Sequence, residues 1–380
     1  MNRPKILVVC WSVPPGTNGS AIIVGNLARQ FTAEEMLIVG EKPPGSPPLP
    51  WPETLPRIHH FAAEWPATRR GARFRRRAQM PLMLLRALRL ARRSCCSAVL
   101  SVFPKEEHLL VGFRASRWLR LPLFPCFRNT YLENRAGLEY HFASGLQPRV
   151  FSQAARVLVM SEGMAEHYRR RYPGIRCSAL VHSFDEPVPQ YTPPPEPGAT
   201  LELVLSGNIN DACREAAVRV CQAIARTPRS RLTLLSGTAR EHLDQLGLLR
   251  PDVGLETVSR DVLIDRLQRA DIMVLPHGFS GALAAVEYEP IFPTRTIEYL
   301  ICGRPILAHT PPNCFLTRFL REHECALVID VADGEAIRRG IEELRSNGEL
   351  RARLVRNALR AAELVQAAWV AGQLRQFLGT

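Results

Sequence analysis

Apolar runs of strand length alternate with helically spaced segments along the chain. Residues 5–10 (KILVVC) are one such run; after a Gly/Pro loop, residues 20–31 (SAIIVGNLARQF) take helical spacing, and residues 35–40 (EMLIVG) form a second run. This β-loop-α-β opening predicts a parallel sheet. Further strands are predicted at 97–103 (SAVLSVF), 121–127 (LPLFPCF), 155–161 (ARVLVMS) and 177–184 (CSALVHSF), with helices at 105–121 and 162–172. In the Arg-rich stretch a helix is read from Pro81 onward.

Residues 185–200 (DEPVPQYTPPPEPGAT) break the rhythm, because their prolines continue neither a helix nor a central strand. A stiff linker is expected there. The alternation then restarts: strands at 201–207, 231–237, 253–258, 271–278, 304–310 and 325–330 are interleaved with helices at 211–226, 239–246, 260–270 and 315–324, and helices run from Glu335 almost to the end. The fold class expected is α/β, with two tandem doubly wound Rossmann-like domains at 1–184 and 201–360. A final helix at 361–380 is expected to pack back toward the first domain. Ligands of such sheets bind beyond the carboxyl ends of the strands, which predicts a site in an interdomain cleft.

At 380 residues the chain is long enough for two cores. Charge separates its halves. Residues 1–184 hold 27 basic and 11 acidic side chains, and residues 185–380 hold 22 and 25, so a net +13 divides into +16 and −3. A basic half favours an anionic surface as partner. Ten Arg fall between Arg69 and Arg93, with no acid between Glu64 and Glu106; Arg86, Arg89 and Arg93 share one helical face, and Leu84, Leu88 and Ala91 another. Such a helix suits either an anionic membrane or the surface of the first domain. Nucleic acid is not expected as a partner, since the arginines lack interleaved aromatics and a reader motif.

Ten Cys without a C-x-x-C pair or metal-ligand spacing read as reduced thiols in a cytoplasmic protein, and no metal site is expected. The apolar N-terminus runs into PPGTNG without a small-residue cleavage site, so a first strand is read rather than a signal peptide. No stretch of about 18 apolar residues predicts a membrane span.

Three segments carry candidate chemistry. Gly16 and Gly19 lie in the loop after the first strand, where glycines let backbone N–H groups approach a ligand. Gly207 and Asn208, with Asn210 and Arg214, repeat that arrangement at the start of the second half; Arg214 could fork a diphosphate or simply be solvated. Residues 292–310 (FPTRTIEYLICGRPILAHT) place Pro293 in a first helical turn, so that N–H groups near Thr294, Arg295 and Thr296 make an anion site. Glu298 follows within a turn, where it can accept from a ribose diol or favour the helix dipole.

This last segment, with 270–277 (ADIMVLPH) before it and 319–344 (FLREHECALVIDVADGEAIRRGIEEL) after it, resembles the nucleotide-sugar domain of GT-B-type glycosyltransferases, especially the large retaining family four (glycosyl transferases group 1). The likeness extends to 157–172 and to the N-terminal Gly loop. It implies a GT-B fold and transfer of a sugar from a nucleotide-diphosphate donor to a glycan, lipid-linked or small-molecule acceptor, with retention and without metal or other cofactor. The donor is then a co-substrate.

By the same resemblance Glu298 holds the donor ribose, Arg295 stands where Lys is usual, and Thr294 and Thr296 flank the diphosphate. Gly207 and Arg214 correspond to the glycine and base that cradle the phosphates, and Gly16 and Gly19 to the loop glycines. Two departures stand out. Pro290 occupies the position of a second family Glu, with Glu287 and Glu289 out of register, and Asn129 and Thr130 replace a His-Asp pair. His141, Glu133 and Arg135 are the acceptor-side candidates. A GT-B protein that binds without transferring, and a sugar epimerase or phosphorylase on the same architecture, remain alternative readings.

Overall fold

The computed structural model describes residues 5–14, 16, 19–42, 51–63, 71–250, 253–281 and 285–379. The chain divides into two compact units, residues 1–185 with 366–380, and residues 186–365.

The first unit runs β1 (Ile6–Ser12), α1 (Gly19–Ala28), β2 (Met36–Lys42), β3 (Arg57–Ala63), α2 (Ala72–Arg93), β4 (Ala98–Val102), α3 (Glu106–Leu119), β5 (Leu123–Phe127), α4 (Gly137–Gln153), β6 (Val157–Val159), α5 (Glu162–Arg171) and β7 (Cys177–Ala179). Its seven strands lie in the order β3-β2-β1-β4-β5-β6-β7, each neighbouring pair parallel. Helices cover both faces of such a sheet, so the central strands are predominantly apolar and β4 and β5 are buried at every position. The order reverses between β1 and β4, which opens a crevice at their carboxyl ends.

The second unit runs β8 (Leu201–Ser206), α6 (Arg214–Ala225), β9 (Ser230–Leu235), α7 (Arg240–Gln245), β10 (Val253–Glu256), α8 (Arg260–Leu267), β11 (Ile272–Pro276), α9 (Ala285–Tyr288), α10 (Thr294–Ile301), β12 (Ile306–His309), α11 (Phe315–Glu322), β13 (Leu327–Ile329), α12 (Gly334–Ser346) and α13 (Gly348–Ala362). Its parallel strands follow the order β10-β9-β8-β11-β12-β13, with the reversal between β8 and β11. A 3-10 turn, Glu363–Val365, closes the unit, and the last helix, α14 (Ala367–Gly379), belongs to the first.

That last helix is core, not appendage. Val370, Ala371 and Leu374 are buried in one cluster with Val24, Leu27 and Phe31, the Ala367 N–H donates to Phe184 O at 2.8 Å, and Arg375 pairs with Glu35 at 3.2 Å.

Several local expectations are revised. The proline-rich segment belongs to the second unit from Glu186 onward. It is irregular, as prolines require, but pinned to α13: Arg351, itself buried, donates to Glu196, and Arg356 lies over the Tyr191 ring. The Arg-rich helix begins at Ala72 and carries Pro81 within it, nine residues earlier than read from the sequence. Its buried face holds Arg76, Met83, Ala87, Leu88 and Ala91. Arg76 is tolerated there because its Nε donates to the buried carboxylate of Glu41 at 2.8 Å. Arg69 and Arg70 lie outside the described residues. Strand β3 and helix α4 are additional elements, and α4 occupies the segment that holds His141. All ten cysteines are free, and no helix among the described residues is long and apolar enough to cross a membrane.

Candidate functional site

In the second unit the candidate residues gather at the carboxyl ends of β8 and β11, where the strand order reverses. Gly207 follows β8 with φ +86°, a left-handed conformation that side-chain-bearing residues rarely adopt. A Cβ at this position would lie 3.5 Å from Nη2 of Arg295. That is ordinary van der Waals contact, so the left-handed backbone rather than crowding calls for glycine, and the guanidinium lies directly against it. Arg295 Nη2 donates to the Asn208 carbonyl at 2.7 Å and approaches Cys213 Sγ at 3.8 Å. Its Nη1 is shielded from solvent and has no hydrogen-bond partner, so N–H capacity is unspent beside the strand end.

Helix α10 presents that arginine. Pro293 precedes it with extended backbone and no side-chain cap, so the positive end of the helix faces whatever lies before it. Thr294 is exposed, Thr296 buried, and Glu298 half-buried. Glu298 lies three and four residues beyond Arg295 and Thr294, hence on the same helical face. The helix is anchored by Tyr299, whose buried hydroxyl accepts from the Ser206 N–H at 2.8 Å and donates to Val274 O at 3.2 Å. One side chain therefore ties α10 to both strands of the reversal. Burial pushes its phenol above the usual range.

Arg214 does not join this group. It opens α6, stands 3.8 Å from Asp211, and lines a recess beside α7 with Val218, Gln245 and Leu246. The base that meets Gly207 is Arg295, because α10 is the helix whose start reaches the strand end. Asn208 contributes its carbonyl to Arg295 and its side-chain oxygen to the Thr238 hydroxyl at 3.4 Å.

A second network, on side chains not singled out by the sequence, lies at the ends of β11 and β12. Arg219 donates to His309 Nε2 at 2.9 Å, bonds Glu215, and covers the Phe279 ring. The remaining His309 nitrogen, Nδ1, reaches Ile329 O at 3.2 Å. An arginine donating to one nitrogen requires the neutral ring with its proton on the other. Consistently, burial, opposed by the Ile329 hydrogen bond and aided by Arg219, lowers the His309 pKa to about 4. Glu215 also accepts the Phe279 N–H at 3.2 Å, and His277 bonds Tyr288 O at 2.7 Å. These contacts fix the segment after β11. The visible signal was the His that follows or closes each strand, in VLPH and LAHT.

In the first unit, Gly16 makes a turn with its N–H on Val13 O at 3.1 Å, and Gly19 begins α1. Thr17 and Asn18 between them lie outside the described residues. The three acceptor-side candidates do not converge. Glu133 is buried and committed to α5, meeting His167 at 3.3 Å, Arg171 at 3.2 Å and the Tyr168 hydroxyl at 3.4 Å. Burial alone would raise its pKa, but the His167 hydrogen bond, its own backbone and Arg171 outweigh that and lower it. Arg135 rests on the Phe103 and Tyr131 rings and pairs with Glu139 at 3.6 Å. His141 is exposed on α4. A carboxylate held by Arg171, His167 and Tyr168 is a structural brace, which is why Glu133 is unavailable to a substrate. Glu287, near the family's missing carboxylate position, is buried on α9, and Pro290 is buried after it.

Comparisons with known proteins bear on the family likeness and the fold. Residues 242–361 match the family model described as Glycosyl transferases group 1. None of the curated proteins compared matches the sequence. Among solved structures, sucrose-phosphate synthase from Thermosynechococcus elongatus is 15% identical, covering 98% of each chain with a TM-score of 0.73. Anabaena HepE, solved in complex with UDP and glucose, is 15% identical over 99% of this chain and 100% of its own, at a TM-score of 0.68. The E. coli protein described as trehalose-6-phosphate, bound with UDP-2-fluoro glucose, is 10% identical over 99% of each chain, at a TM-score of 0.65. The segment that holds α10 and Glu298 thus matches the glycosyl transferases group 1 family model, and the chain has the GT-B-type fold.

Proposed function

We propose that the protein transfers a sugar from a nucleotide-diphosphate sugar to a hydroxyl-bearing acceptor. The observation that carries this reading is the Arg295 guanidinium lodged against Gly207 at the strand reversal, with its Nη1 unspent. Arg295 and the start of α10 meet the donor diphosphate, and Glu298, one turn on, accepts from the ribose diol. Similar folds solved with UDP and glucose, or with UDP-2-fluoro glucose, support a nucleotide sugar as donor.

In the reaction, the bond from the anomeric carbon to the diphosphate oxygen breaks, the acceptor oxygen bonds to that carbon, and the acceptor's proton leaves with the diphosphate. Negative charge grows on the leaving group, where Arg295 and the helix start concentrate positive charge. Transfer with retention and without a metal ion completes the proposal. The acceptor is a glycan, a lipid-linked sugar or a small molecule.

The test is release of nucleoside diphosphate from a panel of nucleotide sugars, in the presence and absence of a chelator. Arg295→Ala should lower kcat by about a hundredfold, the usual effect of removing one such donor. Glu298→Ala should raise the donor KM. Donor binding without turnover on any acceptor would favour the non-transferring alternative, which Pro290 and the replaced His-Asp pair suggest.

A peripheral position at the inner face of a membrane is part of the same proposal, and α2 supports it. Phe74, Leu82 and Leu85 are 80%, 69% and 44% exposed, and Leu82, Leu85, Arg86 and Arg89 share one stripe beside a recess of about 510 Å³. Exposed leucines interleaved with arginines suit an anionic bilayer, where the apolar side chains enter the headgroup boundary and the guanidinium groups meet phosphate. Vesicles containing phosphatidylglycerol should sediment the protein, neutral vesicles should not, and Leu82→Asp with Leu85→Asp should abolish the effect. Equal retention of the double variant would refute it.

A further inference from the structure

Arg128 lies one residue beyond β5, on the carboxyl edge of the first unit's sheet, and is only 7% exposed. Its Nε and Nη1 are shielded from solvent and have no hydrogen-bond partner. No carboxylate pairs with it among the described residues. The other buried arginines each hold a carboxylate: Arg76 pairs with Glu41, and Arg351, although its Nε too lacks a partner, pairs with Glu196 and donates to the carbonyls of Leu344 and Arg345. Arg128 is the exception, and its surroundings sharpen the anomaly. The buried groups that feel its charge are the Cys126 thiol and the His182 imidazole. Burial, aided by Arg128, lowers the His182 pKa well below its ordinary value, and at Cys126 burial raises the thiol against the opposing charge and side-chain hydrogen bond of Arg128. Neither group compensates a cation.

A buried, uncompensated guanidinium opposes folding, so a chain that keeps one gains something else by it. Two residues on, the Thr130 hydroxyl is also buried without a partner. Unspent donors of both kinds, at the strand end where parallel sheets receive ligands, call for an acceptor of hydrogen bonds that carries negative charge. A neutral sugar hydroxyl would satisfy the donors and leave the charge. A phosphate or carboxylate does both, and the planar guanidinium fits either through two parallel N–H bonds.

We propose that Arg128, with Thr130, recognises an anionic group on the acceptor, a phosphate ester or a carboxylate carried by the sugar or glycan that receives the transfer. This rests on the glycosyltransferase reading for the word acceptor, but not for anion binding itself.

The experiment follows thermal unfolding of the full chain with glucose, glucose 6-phosphate or glucuronate. It also uses the nucleoside diphosphate, among UDP, GDP, ADP and TDP, that most stabilises the wild type. The anionic sugars should raise Tm where glucose does not, and whichever acts more strongly separates phosphate from carboxylate. Arg128→Met should melt no lower than the wild type without ligand, lose the response to the anionic sugar, and keep the response to the nucleotide. Arg128→Lys should keep part of the anion response, and in transfer assays Arg128→Met should raise the acceptor KM roughly ten- to a hundredfold with the donor KM unchanged.

A drop of several degrees in Arg128→Met with the anion response intact would make Arg128 structural and overturn the proposal. So would no response of the wild type to either anion, or loss of the nucleotide response together with the anion response, which would make Arg128 a donor contact. Failure of the glycosyltransferase reading looks different: no nucleotide stabilises the wild type and no donor turns over, while the Arg128-dependent anion response persists.

Discussion

His309 illustrates how one residue couples the site to stability. Its ring is held neutral, with Arg219 on one nitrogen and a backbone carbonyl on the other. In the unfolded chain it titrates near its ordinary value of 6.5, and in the folded chain at about 4. A depressed histidine pKa means that the unfolded state takes up the proton first. The folded state therefore suffers no penalty above pH 6.5 and loses stability as pH falls from about 6.5 to 4, by on the order of 3 kcal/mol in full. His277 and His182 shift in the same direction. We predict that urea unfolding of His309→Gln between pH 7 and pH 4.5 will show a shallower loss of stability than the wild type. An unchanged slope would mean that Arg219 and burial do not hold the ring neutral.

At the scale of elements, α10 matters through where it is fastened. Its eight residues would be marginal as an isolated helix. Tyr299 fixes the start of the helix over the β8–β11 reversal by bonding to a backbone group of each strand. Tyr299→Phe leaves the Ser206 N–H buried without an acceptor, which costs about 1–3 kcal/mol. It should also weaken donor binding, since Arg295 and Glu298 are carried on the released helix. Isothermal titration with nucleoside diphosphate, beside a urea melt, checks both effects; lost stability with unaltered affinity would show that Tyr299 only braces the core. Periodicity indicated α10, and the motif supplied the role proposed for it. It could not indicate the clasp, because Tyr299 reads as one more apolar position of the helix. Strand β3 and helix α4 were hidden for a related reason: RIHHFAA and GLEYHFASGLQPRVFSQ mix polar, small and Pro residues without a clean period.

The whole molecule is two cores on one chain, and the chain returns to the first after completing the second. Leu374, fully buried near the C-terminus, packs in the same cluster as Val24 and Leu27. Leu374→Ala should cost about 2–5 kcal/mol in the first unit. Amide exchange should report that loss in β1, α1 and β2 and leave β8 to β13 unchanged; protection lost equally in both units would mean that the cores unfold as one. A bare midpoint would not suffice, since two cores need not melt in one transition.

The sequence alone determined the alternation of parallel strands and helices, the restart after the proline-rich segment, and the family likeness of the segment around Glu298. These are properties of local period, turn chemistry and short motif spacing, all of which act over a few residues. The proximity of Arg295 to Gly207 needed the tertiary structure, because 88 positions separate them and only the packing of α10 on β8 joins them. So did the fates of Glu133 and Arg128. A carboxylate and a guanidinium look alike in a sequence whether or not they are paired, and burial with its partners decides which is a brace and which still has hydrogen bonds to give.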